Sequence, residues 1–212
     1  MKTDDLIRAL TADTTAQALP PRRAWLAAGG AAVLIAAAVF TITLGPRPDI
    51  EAAAWTARFL FKLAVTLALV LAAFRVLIAL ARPGAATANR LAWLVAVPVA
   101  LAAAVVAELV ALPTELWEPR LIGTNALVCL TYIPLIGIGP LVAFLLALRN
   151  GAPTSPARAG AVAGLLAGGV AAAFYALHCP DDSPLFVATW YTIAIAALTA
   201  LGALAAPRIA RW

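Results

Sequence analysis

Six runs of apolar residues follow one another along the chain, at about 24–44, 59–81, 91–112, 126–148, 159–177 and 187–206. Each is close to the length of about 20 residues that an α-helix needs to cross a hydrocarbon core of about 30 Å. The breaks between them are polar and rich in Pro and Gly: Gly45-Pro46-Arg47-Pro48, Arg82-Pro83-Gly84, Pro113-Thr114-Glu115, Asn150-Gly151-Ala152-Pro153 and Cys179-Pro180-Asp181-Asp182. Such segments end helices and turn the chain. Because backbone groups in lipid must find partners within their own segment, the pattern predicts an all-α fold, a polytopic bundle of six transmembrane helices. Arg22-Arg23 ahead of the first run faintly resembles a twin-arginine signal, but the run is longer than an ordinary signal core and more membrane follows it. The first run therefore reads as a retained span.

Composition agrees and narrows the class. Of 212 residues, 64% are hydrophobic and 12% charged, against about 45–50% and about 25% in a soluble domain. That balance excludes a soluble globule, a disordered chain and a collagen-like fibre, and two cysteines do not make a disulfide scaffold. The net charge of +5 is distributed by topology. Lys2, Arg8, Arg22, Arg23, Arg82, Arg90, Arg149, Arg158, Arg208 and Arg211 fall on one side of the six spans, ten of the fifteen basic residues. The positive-inside rule then puts both termini on the cytoplasmic side, with the spans expected in a bacterial inner membrane and the lipid bilayer as a partner. No basic stripe interleaved with aromatics is present, so direct nucleic-acid binding is not expected.

Little is left outside the spans. The division expected is a cytoplasmic segment, 1–21, and a membrane domain, 22–212. The connections are too short for a catalytic domain, so neither enzymatic activity nor a cofactor is expected. In the N-terminal segment Thr3 suits a helix N-cap, and Asp4 and Asp5 suit a first turn. Leu6, Ile7 and Leu10 share one face. Helices that rest on anionic membranes are usually basic, whereas this one carries Asp4, Asp5 and Asp13. It fits a protein groove as well as it fits a membrane surface.

Ionisable residues inside apolar runs call for partners. Lys62 and Glu108 lie near the outer ends of the second and third spans, at depths that suggest a Lys62–Glu108 pair. Arg75 sits close enough to the inner end to snorkel. A small transporter is the functional alternative that such a pair would support. Gly160, Gly164 and Gly168 make a small-residue ladder for close helix packing, within the chain or across a homodimer. Pro98, Pro134 and Pro140 are expected to kink their helices.

The two cysteines, Cys129 and Cys179, and the single histidine, His178, all fall on the outer, oxidising side. Three readings stand open. The first is a structural disulfide, slightly favoured by spacing. The second is a thiol pair that senses oxidant or a soft metal, with His178, Asp181 and Asp182 as possible further ligands and no metal site firmly assigned. The third is two packed free thiols. No C-x-x-C is present, so a membrane thiol-disulfide enzyme lacks its motif.

Several stretches carry a resemblance. They are the opening Met1-Lys2-Thr3-Asp4-Asp5-Leu6-Ile7-Arg8-Ala9-Leu10, then Leu116-Trp117-Glu118-Pro119-Arg120-Leu121-Ile122-Gly123 with Cys129-Leu130. Tyr175-Ala176-Leu177-His178-Cys179-Pro180-Asp181-Asp182 follows, with Phe186, Trp190-Tyr191 and Arg211-Trp212. Together they resemble the NrsF family of six-span membrane proteins, anti-sigma factors for extracytoplasmic-function sigma factors. The resemblance implies that Asp4, Asp5, Leu6, Ile7 and Leu10 contact a sigma factor and hold it at the membrane. It also implies that Cys129 and Cys179 sense oxidants or heavy metals outside, releasing the partner in a stress response.

Overall fold

The structure, a computed structural model, describes residues 21–84 and 88–209. Asp4, Asp5, Leu6, Ile7 and Leu10 lie outside the described residues. Within them every regular element is helical and six helices are long and apolar enough to cross a membrane. The spans run Pro21–Thr43, Ala57–Leu80, Ala88–Ala111, Ala126–Leu148, Pro156–Ala176 and Pro184–Ile209. Two short helices lie between spans, Ile50–Ala53 before the second and Trp117–Ile122 before the fourth.

Local chemistry explains where the spans begin. Thr56 caps the second span, its hydroxyl accepting from the Phe59 amide at 3.4 Å. Pro156 and Pro184 each open a helix after a serine; their fixed φ suits the first turn, where no amide is needed. The sixth span therefore starts three residues earlier than the apolar run alone suggests. Its backbone then widens into a π turn over Val187–Tyr191 before continuing as Thr192–Ile209. The helices continue through Pro98, Pro134 and Pro140.

The fifth span is the centre of the bundle. Most of it is buried, against the sixth, second and fourth spans, while the first packs on the fourth. The third is the outlier: it leans mainly on the second and leaves almost all its surface outside the bundle. The glycine ladder explains the central position. A Cβ on Gly160 would fall on the carbonyl oxygen of Gly202, and one on Gly164 on the carbonyl oxygen of Leu198. Only hydrogen at these positions lets the two backbones touch, which gives dispersion contacts that lipid cannot match. This corrects one expectation. Gly160, Gly164 and Gly168 are covered by the sixth span of the same chain, so they do not form a face for a homodimer.

Candidate functional site

Polar chemistry concentrates at one end of the bundle, the cysteine end, where the connections 44–56, 112–125 and 177–183 meet. The 177–183 connection is its hub. Leu177 ends the fifth span and Ser183 begins the sixth, so the intervening loop is pinned at both ends to the most buried helix pair.

Asp182 pairs with two cations. Arg47 donates from Nη1 to Asp182 Oδ2 at 2.8 Å, and Lys62 pairs with Asp182 through Oδ1. Lys62 is 1% exposed and Arg47 8%, which is uncommon for either type and requires compensation. Both reach the backbone carbonyl of Cys179 as well, Lys62 at 2.8 Å and Arg47 at 3.4 Å. Arg47 completes its fork on Asp49, with two bonds of 2.7 Å. The hydrogen bond to Asp49, with help from Asp182, raises the Arg47 guanidinium far above any working pH, although burial opposes the shift. The same bond from Arg47 holds the exposed Asp49 carboxylate below its ordinary value.

The neighbouring carboxylates act as helix caps supplied from another element. Asp181 Oδ2 accepts from the backbone amides of Thr124 at 3.0 Å and Asn125 at 2.9 Å, at the start of the fourth span. Asn125 makes no side-chain cap of its own, so Asp181 supplies one from the loop. Glu108 Oε2 accepts from Ser183 Oγ at 2.7 Å and from the Leu185 amide at 3.2 Å, in the first turn of the sixth span. Both carboxylates face the positive ends of helix dipoles. Arg58 lies 3.4 Å from the other Glu108 oxygen.

The expected Lys62–Glu108 pair is thus not made. Each is satisfied by the 177–185 stretch instead, Lys62 by Asp182 and Glu108 by Ser183 and Leu185. The reason is geometric: the loop packs into the end of the bundle and supplies nearer partners than the neighbouring helix does. Pairing by depth alone could not reveal it. The adjacent acidic residues Asp181-Asp182, on the side of the membrane toward which Lys62 lies, were the sequence signal available.

His178 also serves the loop. Its Nδ1–H donates to the Gly45 carbonyl at 3.0 Å, and the Arg47 amide donates to the Leu177 carbonyl at 2.9 Å. The loop is thereby stitched to the end of the first span. Gly123 approaches from another side with φ +59°; a Cβ there would meet the Phe186 ring at 2.5 Å and the Asp181 carboxyl carbon at 2.9 Å.

Cys129 and Cys179 are free thiols, both with no exposed surface, inside one apolar cluster with Tyr175, Phe186 and Tyr191. Burial pushes the Cys179 thiol above its ordinary value, with Lys62 pulling partly the other way. A neutral, buried thiol is a poor nucleophile and a poor ligand. The disulfide that spacing slightly favours is not formed here; both thiols are free and packed. Among the described residues no three His, Cys, Asp or Glu side chains gather as a metal site. Asp181 and Asp182 cap a helix and bind cations, and His178 is committed to Gly45.

The family described as NrsF, "Negative regulator of sigma F", matches residues 10–212. The chain is similar to "Anti-sigma-F factor NrsF" of Caulobacter vibrioides (strain NA1000 / CB15N), 36% identical over 220 residues and covering all of both chains. It is also similar to "Probable anti-sigma-F factor NrsF" of Azospira oryzae (strain ATCC BAA-33 / DSM 13638 / PS), 31% identical over 221 residues, again covering both completely. No solved structure matches.

Proposed function

The chain belongs to the NrsF family, a family of regulators rather than enzymes, and from that premise we propose that it is a membrane-bound anti-sigma factor whose grip is set at the cysteine end. The observation that carries this is the full-length likeness to an anti-sigma-F factor, at 36% identity. Residues 1–21 hold an extracytoplasmic-function sigma factor away from RNA polymerase, with Asp4, Asp5, Leu6, Ile7 and Leu10 as contacts. Residues 22–212 anchor it in the inner membrane, both termini in the cytoplasm and the cysteine end outside. The small-transporter alternative has lost its support, because Lys62 and Glu108 are both spent on the 177–185 stretch.

The regulatory element is the loop 177–183. It has two arrangements, latched as described and open. Oxidant or heavy metal favours the open one: it reaches Cys129 and Cys179 while the loop is open, and a modified sulfur then no longer fits the closed cluster, where neither residue has exposed surface. An effector shifts such an equilibrium only by its preference for one arrangement, and the steric misfit of a modified thiol supplies that preference. Opening must break the Asp182 pairs with Arg47 and Lys62 and the His178–Gly45 bond. The threshold for release is therefore set by buried polar contacts rather than by thiol chemistry alone.

Co-purification tests the binding half. The full-length chain is expected to retain a sigma factor, and Leu6→Asp/Leu10→Asp to lose it. A wild-type chain that retains none overturns the reading. Induction by oxidant or metal tests the sensing half: Cys129→Ser and Cys179→Ser are expected to blunt it, and unchanged induction leaves two packing residues.

A further inference from the structure

Of the charges inside the spans, Lys62 and Glu108 are satisfied at the cysteine end, and Arg75 is not. It lies in the second span, five residues before Leu80 and so about 7–8 Å of helix from the opposite end of the bundle. Its side chain is exposed and, among the described residues, makes no hydrogen bond or ion pair. Every described carboxylate belongs to the cysteine end, in the three connections there or at Glu108 beside them. Among the described residues no counter-charge therefore lies at the depth of Arg75. A guanidinium keeps its charge, and a charge within a bilayer calls for a partner.

Arg75 also opens onto a groove. On the side of the second span that faces the third, a cleft of about 450 Å³ is lined among others by Phe61, Ala64, Ala68, Arg75, Trp93 and Ala96. Among the described residues that line it, Arg75 alone is charged. From Phe61 to Arg75 the cleft follows about 21 Å of helix, more than the about 15 Å of one leaflet's hydrocarbon. The alanines keep it open where larger side chains would fill it. Trp93 lies five residues into the third span, level with Arg75, and is 66% exposed. An indole, apolar with one N–H to donate, suits the headgroup level.

We propose that this groove seats an anionic glycerophospholipid of the adjoining leaflet, its phosphate on Arg75 and one acyl chain along the alanine wall. The phosphate offers the guanidinium two oxygens for a paired, charge-assisted bond, and the chain covers the apolar floor that a free phosphate would leave bare. A zwitterionic lipid would bring an ammonium to an end that already carries Arg82, Arg149 and Arg158, so net charge selects the anionic head. Occupancy fastens the third span, which otherwise leans mainly on the second. That span carries Glu108, the cap of the sixth, so the lipid steadies the helix on which the cap depends. The inference rests on the six helices crossing a membrane and is independent of the sigma-factor reading.

The test uses the purified full-length chain, stripped of lipid in dodecyl maltoside, with thermal unfolding as the readout. Dioleoyl phosphatidylglycerol and dioleoyl phosphatidylethanolamine are the probes. Wild type is expected to show a saturable upward shift in Tm, half-complete at several-fold less phosphatidylglycerol than phosphatidylethanolamine. Arg75→Leu is expected to melt no lower than wild type without lipid, since an unpaired charge leaves a span. It should bind phosphatidylglycerol about tenfold more weakly and lose the preference. Ala68→Trp, at an exposed position lining the groove, is expected to weaken both lipids while melting like wild type. No saturable shift, an equal response to both lipids, or wild-type affinity for phosphatidylglycerol in Arg75→Leu overturns the proposal. So does tighter binding by Asp4→Asn/Asp5→Asn/Asp13→Asn, which would make the acidic N-terminal segment the partner of Arg75 in the lipid's place.

Discussion

The single residue that most constrains the cysteine end is Lys62. An ammonium with 1% exposure is tolerated because Asp182 and the Cys179 carbonyl surround it, and removal of one partner of such a buried pair costs about 3–5 kcal/mol. Asp182→Asn is therefore expected to destabilise the protein by several kcal/mol in reversible unfolding in mixed micelles. Lys62→Met in the same chain is expected to restore most of the loss, since no unpaired charge then remains buried. Additive losses would show that the two do not interact. Cys179 gives a second residue-scale expectation, with its sign fixed by burial. Its folded-state pKa lies above the ordinary 9.0, so the folded state favours the neutral thiol. Its contribution is present in full below about pH 9 and fades above it, as the unfolded chain ionises first. Alkylation by iodoacetamide should stay slow from pH 7 to 9 in the folded protein and become fast once detergent unfolds it. Rapid labelling of the folded protein at pH 8 would mean that the loop is open rather than latched.

At the scale of elements, the fifth and sixth spans set the bundle through backbone contact. Gly164→Val would place side-chain carbons on the Leu198 carbonyl, a clash with backbone that no rotamer relieves. A loss of about 1–3 kcal/mol or more is expected, seen as a lower unfolding midpoint with the oligomeric state unchanged by light scattering. A change in oligomeric state at equal stability would instead return the ladder to an interface between copies. The spans themselves were legible in the sequence because a twenty-residue apolar run has few other uses, and their ends fell within about three residues of the helices. Two things were not legible. The ladder's partner was hidden because small residues announce close packing without saying against what; Gly202, which faces Gly160, lies in a run too uniform to stand out. The roles of Asp181 and Asp182 were hidden because capping across elements depends on the loop folding back into the bundle. Only the rule that a buried charge needs a partner pointed there, and it pointed first at the wrong carboxylate.

For the whole molecule, charge and connectivity together make the proposed regulation mechanical. Among the described residues every carboxylate (Asp49, Glu51, Glu108, Glu115, Glu118, Asp181 and Asp182) lies at or toward the cysteine end, whereas Arg23, Arg82, Arg90, Arg149, Arg158 and Arg208 lie at the other. A fluorescent protein fused after Trp212 is expected to glow, and alkaline phosphatase inserted after Arg120 to be active; the reverse pattern would invert the molecule and separate the proposed sigma-binding segment from its partner. With that orientation, the first span joins the N-terminal segment directly to the latch. The first span is a continuous helix from Pro21 to Thr43, about 35 Å long. At one end it leads into residues 1–20. At the other, Gly45 and Arg47 are tied to the loop by His178, the Leu177 carbonyl and Asp182. On the proposed reading, a stiff helix anchored at the latch carries a shift there to the proposed sigma-binding segment, without needing a chain of side-chain contacts through the core. Arg47→Ala removes the side-chain part of that anchor, its bonds to Asp182 and the Cys179 carbonyl, while leaving the thiols in place. Retention of sigma factor in co-purification is expected to fall several-fold, with membrane insertion unchanged and without any oxidant. Retention equal to wild type would mean that the signal does not run through the first span, and would shift attention to the loops joining the other helices.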